Sequence, residues 1–254
     1  SNKEDNLIGL FQIKDYCPQK IYRTYILKTH SNPPTAAQEK GLVFEYQLLG
    51  GNAHGASNAD VPLLKNGKMS MDYQRIMKQV DNAKILFLQN NVLVYKGLNC
   101  QVPLSYYMPE LDIVITGELD LFSTILHEGI VRNTIIDLKL TSNVYNTFGD
   151  YGWGNVADMD LLQSDIYTFL VKTIFNNNLF EECSKLNPNF DYKYIFSMKN
   201  ISDIQKNGIL FHYFVFGYTD NDKYPLFNRK RIIERVWTKE KEYNAIARTT
   251  YAVE

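Results

Sequence analysis

The chain has 254 residues, of which 45% are apolar, enough to build one large hydrophobic core or two small ones. Its 27 basic and 28 acidic residues leave a formal net charge of −1, so any nucleic-acid-binding surface would have to be local. No signal-like segment opens the sequence and no apolar run reaches the length of a bilayer span, so we expect no membrane partner and a cytoplasmic protein.

Three cysteines, Cys17, Cys100 and Cys183, lie far apart in the sequence and form no C-x-x-C pair. A sparse, odd count argues against a disulfide framework and against a zinc ribbon, and it favours a reducing compartment. No P-loop motif for nucleotide phosphates occurs. Residues 1–254 contain no linker, so we predict a single domain, and Ser1-Asn2 is typical of a remnant of tag removal.

The amino-terminal part is predicted to be mainly helical. In chain order it contains a helix start, a Cys-Pro break and a second helical stretch (7–29), a helix (36–49), a mobile loop rich in Gly and Asn (50–68) and a further helix (71–88). Thr35 is a plausible N-cap for the helix over residues 36–49, and Glu45 lies beside the apolar stripe of that helix.

The remainder of the chain alternates between predicted strands and helices. It contains a β-rich block (92–140), an irregular aromatic stretch (141–158), a helix (161–175), two strands (191–197 and 209–218) and a closing helix (229–248). This order predicts an α/β fold with a central mixed β-sheet flanked by helices. The basic run over residues 228–235 is either a local nucleic-acid contact or a solvated helix face.

Two acidic strands are the most informative feature of the β-rich block. The predicted strands cover residues 112–122 and 134–140, and a turn-prone stretch over 127–133 between them predicts a hairpin. Residues i and i+2 of a strand share a face, so Asp137 and Lys139 should point the same way, with Leu138 turned into the core. A hairpin partner can bring Asp120 beside them. Two carboxylates can bind a hard divalent ion, and a lysine can lie against a water or phosphate oxygen.

The context of this Asp-x-Lys tripeptide separates it from a second one, Asp191-Tyr-Lys193, which has no acidic strand upstream and is interpreted as an ordinary polar strand face. Gly-Glu-Leu-Asp120, Asp137-Leu-Lys139 and Gln163-x-x-x-Tyr167 together resemble the PD-(D/E)XK nuclease superfamily, in its RecB-like, phage-type exonuclease branch. Two upstream segments add to the resemblance: Phe11-x-x-x-x-Tyr-Cys-Pro-Gln-Lys20 is similar to the opening helix and Cys-Pro break of that branch, and Gly41-x-x-x-Glu45 to the acidic helix motif of its exonucleases.

The resemblance implies a restriction-endonuclease-like core with a metal site on the hairpin. Glu45, Asp120 and Asp137 would be the acidic ligands, and the Leu138 backbone carbonyl would be a further oxygen ligand. Such a set suits Mg²⁺ or Mn²⁺ better than zinc. Lys139 would position or help deprotonate the attacking water and stabilise charge in the transition state.

Gln163 and Tyr167, one helical turn apart, would reach toward the site or the DNA backbone. Alternatives remain open for three residues. Glu45 could be a solvated residue flanking a helix stripe, Glu118 could be a ligand in place of Asp120, and Tyr167 could belong to the core.

Two departures from the family pattern matter. Many RecB-like members have a histidine where this chain has Glu45, which brings it closer to the phage-type exonucleases. Relatives with an iron–sulfur cluster use one early and three late cysteines, and only Cys17 matches, so we expect no cluster and predict Cys17 to be a small buried hydrophobe.

The function implied by the resemblance is Mg²⁺- or Mn²⁺-dependent hydrolysis of DNA, by an exonuclease of the phage, mobile-element, recombination or repair type. Single-stranded DNA or duplex ends would be the substrate, a recombination or helicase protein is a candidate partner, and a bacterial or phage-infected cell would be the setting. A catalytically silent nucleic-acid-binding module and a structure-specific endonuclease are the alternatives. The presence of Asp120, Asp137 and Lys139 together favours activity.

Overall fold

The computed structural model describes residues 7–9, 35–50, 61–110, 112–148, 163–219 and 225–253. In these ranges the elements are, in chain order, β1 (Leu7–Gly9), α1 (Ala36–Leu49), α2 (Met71–Gln89), β2 (Cys100–Met108), β3 (Ile113–His127), β4 (Ile130–Thr141), α3 (Val144–Phe148), α4 (Gln163–Asn176), α5 (Phe180–Leu186), α6 (Met198–Asn207), β5 (Leu210–Gly217), a 3₁₀ turn (Leu226–Asn228), β6 (Lys230–Arg235) and α7 (Lys239–Val253). No helix in these ranges is both long and apolar enough to cross a bilayer.

The six strands form one mixed sheet in the order β1-β3-β4-β5-β6, and β2 pairs with β3 outside that path. The β1–β3 and β4–β5 pairs are parallel, and the other pairs are antiparallel. Helices lie on both faces of the sheet, so the predicted α/β class with a central mixed sheet is confirmed.

The predicted hairpin is confirmed and is longer than expected. β3 and β4 pair from His127↔Ile130 to Leu121↔Ile136. The turn consists of Glu128 and Gly129, whose φ angles of 49° and 79° match the left-handed two-residue turns that fit the twist of a hairpin. The connection is therefore much tighter than the turn-prone stretch over residues 127–133 suggested.

Two apolar layers cover the two faces of the sheet. The α4 layer packs the helical residues Ile166, Leu170 and Ile174 against Leu119, Phe122, Ile135, Tyr213 and Val215 of the sheet. The α1–α2 layer packs Phe44, Leu48, Ile76 and Val80 against Leu121, Ile136, Leu138, Phe214 and Phe216. Side chains of consecutive strand residues thus enter opposite layers, as the pleat of a strand requires.

Helix α1 has the predicted bounds, and side-chain hydrogen bonds at Thr35 and Gln38 determine where it begins. The Thr35 hydroxyl accepts a hydrogen bond from the Gln38 backbone N–H (3.3 Å), and the Gln38 side-chain oxygen accepts one from the Thr35 N–H (2.7 Å). This reciprocal capping box satisfies two amide groups that a helix end leaves without intrahelical partners. Glu45 consequently lies at a defined position on the third turn, facing the sheet.

The predicted strand over residues 191–197 is wrong. The segment forms successive turns, in which the Asp191 carboxylate accepts the Lys193 N–H (3.0 Å) and the Tyr192 carbonyl accepts the Phe196 N–H (2.8 Å). Tyr192 and Ile195 are buried in the α4 layer, so the apolar alternation reflects packing of a compact turn. An unpredicted helix, α6, follows directly.

Two further predictions need correction. The predicted closing helix begins only at Lys239, because Lys230–Arg235 is strand β6, which pairs with the open edge of β5 and so satisfies its backbone groups. Leu7–Gly9 is a strand beside β3, where a helix start was predicted. Cys17, the Cys-Pro break and the aromatic stretch beyond residue 148 lie outside the described residues.

Candidate active site

The site lies where β3 and β4 separate. Their backbone pairing ends at Leu121↔Ile136, and the next residues along the two strands are Asp120 and Asp137. Here the Leu138 N–H donates to Oδ2 of Asp120 (2.7 Å), so a side chain takes the place of a backbone acceptor. Beyond this point β3 pairs with β1 and β2, whereas β4 pairs with β5. We call this separation, with Asp120 and Asp137 at its apex, the fork.

Asp137 and Lys139 occupy one face of β4, as predicted. The Lys139 Nζ forms an ion pair with Oδ1 of Asp137 and also donates to the side-chain oxygen of Gln163 (3.1 Å). Leu138 turns to the opposite face and packs in the α1–α2 layer. The lysine is therefore held on two sides, with its ammonium group close to the fork.

The acidic residues of the fork are buried, Asp120 to 8% exposure and Asp137 to 1%. Burial, followed by the charges of Asp137 and Glu45, raises the pKa of Asp120 well above its ordinary range. The Lys139 ammonium and the hydrogen bond from Leu138 act in the opposite direction but do not cancel this effect. Additional positive charge at this position would therefore stabilise the ionised carboxylates.

Lys139 remains a cation in this setting. Burial alone would lower the pKa of its ammonium group, but the charges of Asp137 and Asp120 outweigh that effect, so the pKa is raised above the ordinary value. At neutral pH the side chain is consequently a hydrogen-bond donor with a full positive charge.

Glu45 approaches the fork from the α1–α2 layer. Its helix α1 belongs to the α1–α2 layer, yet its charge contributes to the raised pKa of Asp120. Glu45 as a whole residue is 7% exposed, which argues against the solvated-residue alternative, and Oε1 accepts a hydrogen bond from the Gln101 side-chain amide (3.1 Å). Asp120 bonds to β4 through the Leu138 N–H, and Glu118, the other acid on β3, lies opposite Pro103 of β2.

Gln163 and Tyr167 lie together in the first turns of α4. The Gln163 amide nitrogen donates to the Tyr167 hydroxyl (3.0 Å), while its oxygen accepts from Lys139. Tyr167 also packs against the α4 layer, so it belongs both to the core and to the surroundings of the site. Burial, with the charges of Asp137 and Asp120, raises the pKa of the tyrosine, which therefore stays protonated.

Two residues near the site, Tyr213 and Gln101, were not predicted from the sequence. Tyr213 of β5 accepts the Ser164 N–H at its hydroxyl (3.2 Å), and the Lys139 Nζ lies 5.8 Å from its ring centroid. Burial and then the charge of Asp137 raise the pKa of Tyr213 to about 12. Its position in the apolar run of β5 gives no sequence signal. Gln101 is an isolated polar residue at the start of β2, and only the three-dimensional pairing reveals its contact with Glu45.

The donor set can be compared with the needs of a divalent ion. Within the described ranges, no three His, Cys, Asp or Glu side chains are gathered closely enough to coordinate one ion as they stand. The chemistry nevertheless fits, because Asp120, Asp137 and Glu45 supply oxygen ligands, and the charges of Asp137 and Glu45 help to raise the pKa of Asp120. The three side chains would have to draw together around Mg²⁺ or Mn²⁺.

Within the basic run over residues 228–235, Lys230–Arg235 is strand β6 rather than a helix face. The guanidinium of Arg229 donates to the Thr219 carbonyl, and that of Arg231 donates to the Phe148 carbonyl. The Lys230 Nζ lies 3.8 Å from the centroid of the Phe227 ring. These cations therefore hold neighbouring segments of the chain together.

No protein-family model and no curated protein matches the chain. Among solved structures, it is similar to the crystal structure of a protein named "Putative exonuclease" from Eubacterium rectale. The TM-score is 0.50 and the identity 12%, and the alignment covers 97% of this chain and 79% of the other. At this identity the likeness concerns the fold alone, and it agrees with the predicted restriction-endonuclease-like core, a central mixed sheet flanked by helices.

Proposed function

We propose that the chain is a Mg²⁺- or Mn²⁺-dependent nuclease that hydrolyses DNA phosphodiester bonds as an exonuclease. The observation that carries the proposal is the group at the fork, where Asp120, Asp137 and Lys139 meet and the charge of Glu45 acts on Asp120. The likeness of the fold to a structure named "Putative exonuclease" also supports a nuclease function.

The residues that would hold the ion are Asp120, Asp137 and Glu45, with the Leu138 carbonyl as a fourth oxygen donor. When bound, the ion would lower the pKa of a coordinated water and polarise the phosphate. These carboxylates are buried, and electrostatic interactions with a cation are stronger there because the effective dielectric constant is low. Their shared negative charge provides the affinity for a cation.

Lys139 would stabilise charge that develops on the phosphate oxygens. Its ammonium is fixed by the Asp137 carboxylate and the Gln163 amide oxygen, so it can donate without first being ordered. Because its pKa is raised, we assign it the role of a donor and cation rather than that of a general base. Proton removal from the attacking water then falls to another group.

Gln163 and Tyr167 form a chain of hydrogen bonds that leads from Lys139 away from the fork. Gln163 would orient the lysine, and the protonated Tyr167 hydroxyl would donate to the DNA backbone. This arrangement refines the roles expected from the resemblance, in which both residues reached toward the site or the DNA.

The biological setting has support only from the motif resemblance. Action on single-stranded DNA or duplex ends, a role in recombination or repair of phage or mobile elements, and a helicase or recombination partner are proposals of this kind. If the chain were a silent binding module, Asp120, Asp137 and Lys139 would be present without a catalytic role. If it were an endonuclease, the same fold would bind DNA internally rather than at an end.

A digestion panel tests the proposal. Linear and circular DNA, single- and double-stranded, and a matched RNA would be incubated with Mg²⁺, Mn²⁺ or EDTA. We expect metal-dependent loss of linear DNA with circular DNA intact. The Asp120→Asn variant should be inactive, and Asp191→Asn, in the Asp-x-Lys tripeptide remote from the fork, should be fully active. Cleavage of circles would establish the endonuclease, and binding without cleavage under every condition would establish the silent module.

A further inference from the structure

Gln101 adopts a backbone conformation that is uncommon for its residue type. Its φ angle is 50°, in the left-handed region, which only a few per cent of non-glycine residues occupy. Such a conformation typically costs on the order of 1 kcal/mol and persists where the surrounding structure enforces it. It occurs at the second residue of β2, the strand that neighbours β3, at the position opposite Asp120 of the fork.

The pairing of β2 with β3 is interrupted at the same place. Cys100 pairs with Leu121 and Val102 pairs with Leu119, but the intervening positions, Gln101 and Asp120, form no ladder pair. Cys100 and Leu121 lie in the α1–α2 layer, whereas Val102 and Leu119 lie in the α4 layer. Residues two apart on a regular strand share a face, so both strands change the face they present at this step.

This change of face directs the Gln101 side chain toward α1. Its amide nitrogen donates to Oε1 of Glu45 (3.1 Å), joining residues 56 positions apart in the sequence. An amide donor orients a carboxylate while leaving its negative charge in place. A lysine or arginine here would instead neutralise Glu45 and compete with a cation.

We infer that Gln101 is a positioning residue of the proposed metal site, whose amide orients Glu45 toward the fork and whose left-handed backbone accompanies the placement of Asp120. The inference rests on the proposed function, because it assigns Gln101 a purpose only if Glu45 is a ligand. It acts through Glu45 and does not itself touch the ion or the substrate.

The Gln101→Gly variant separates the amide from the backbone. Glycine accepts the left-handed conformation without strain, whereas the loss of the amide donor to the buried Glu45 and the greater freedom of glycine in the unfolded chain act in the opposite direction, so the melting temperature in EDTA should change little. The affinity for Mn²⁺ measured by calorimetry on the full chain should fall about 10- to 100-fold, the usual effect of losing a group that orients a metal ligand. Asn91→Gly is the matched control, since Asn91 has a similar φ of 55° away from the fork, and its Mn²⁺ affinity should equal that of the wild type.

A double-mutant cycle with Glu45→Gln then distinguishes an error in the ligand role of Glu45 from an error in the positioning role of Gln101. We expect Glu45→Gln to weaken Mn²⁺ binding, and Gln101→Gly to have no additional effect in that background. If Glu45→Gln leaves Mn²⁺ affinity unchanged, Glu45 is not a ligand and the proposed site is wrong at that residue. If Glu45→Gln weakens binding but Gln101→Gly does not, or if Gln101→Gly weakens it equally in both backgrounds, Gln101 has no positioning role and the proposed function stands.

Discussion

The β3–β4 hairpin has two ends that differ in how they satisfy the backbone. At the closed end, the Glu128–Gly129 turn joins strands that pair without interruption from His127↔Ile130 to Leu121↔Ile136. At the fork, the strands diverge and the Asp120 carboxylate accepts the hydrogen bond of Leu138. The closed end stabilises the fold, and the fork gathers charged side chains because the backbone no longer fills the space between the strands. Mutations at the two ends should therefore affect different properties.

The largest effect is expected at the fork for Lys139→Ala. Loss of a preorganised cation should reduce the rate of DNA cleavage roughly 1,000-fold, because the ammonium stabilises charge that develops only in the transition state. The fold and DNA binding should be retained, but the melting temperature should fall, because the buried Asp137 loses its ion-pair partner. Single-turnover kinetics measure the effect.

The matched control for this variant is Lys193→Ala. Lys193 belongs to the second Asp-x-Lys tripeptide and its side chain is 91% exposed, so its loss should leave cleavage unaltered. Turnover near the wild-type rate in Lys139→Ala would refute the role of the lysine and favour the silent module.

Asp137→Asn should separate metal binding from folding. In EDTA, removing one of the like charges beside Asp120 should preserve or raise the melting temperature, because the buried carboxylates oppose each other's ionisation. Millimolar Mn²⁺ should raise the melting temperature of the wild type by mass action, and the variant should lose most of that rise.

Asp191→Asn is the control, and it should retain the full Mn²⁺-dependent rise. A wild-type protein whose melting temperature does not respond to Mn²⁺, or an Asp137→Asn variant that responds fully, would show that the ion does not bind at these residues.

The paired part of the hairpin, between the closed end and the fork, should respond to pH through His212 of β5, which pairs with Ile136 of β4. Burial lowers the pKa of this histidine to about 4 from 6.5, and its Nδ1 lies 2.8 Å from the Thr134 hydroxyl. Below pH 6.5 this histidine binds a proton in the unfolded chain, whereas in the folded chain it binds one only near pH 4. The free energy of unfolding therefore decreases as the pH falls from 6.5 towards 4. The loss should be about 2 kcal/mol between pH 7 and pH 5.

Urea denaturation of the wild type and of His212→Gln at both pH values measures this contribution. The variant should be less stable at pH 7 but should lose less stability on acidification than the wild type. Equal losses in the two proteins would mean that other groups control the pH dependence.

The smallest effect is expected for Gly129→Ala in the turn. No atom lies within 4 Å of the added methyl group, so the cost arises only from holding alanine at a φ of 79°. Destabilisation of about 1 kcal/mol is expected. Mn²⁺ affinity and cleavage should be unaffected, and a change in either would show that the two ends of the hairpin are coupled.

The sequence predicted the parts of the fold that local chemistry determines. The N-cap at Thr35 predicted the start of α1, the turn-prone stretch over residues 127–133 predicted the hairpin, and the strand alternation predicted the shared face of Asp137 and Lys139. It failed at Lys230–Arg235, where a charged run of helical composition is a strand because β5 offers an open edge. That edge exists only in the folded sheet, so no local pattern contains it.

The candidate site, like the fold, was predicted from the sequence only where local sequence patterns determine it. Asp120, Asp137 and Lys139 come together as their motif spacing predicted, and Gln163 joins them. Gln101 and Tyr213 were missed because their polar groups meet the site through strand pairing between distant segments. The metal and the substrate remain predictions.

The parallel pairing of β4 with β5 has a consequence for the order of folding. The hairpin closes through two turn residues, whereas the chain must travel from Thr141 to Leu210, through four helices within the described ranges, before β5 can pair with β4. Closing a long crossover costs more chain entropy and is slower than closing a tight turn. We therefore expect the two aspartates to meet early in folding, and Gln163 and Tyr213 to join them only when the sheet is nearly complete.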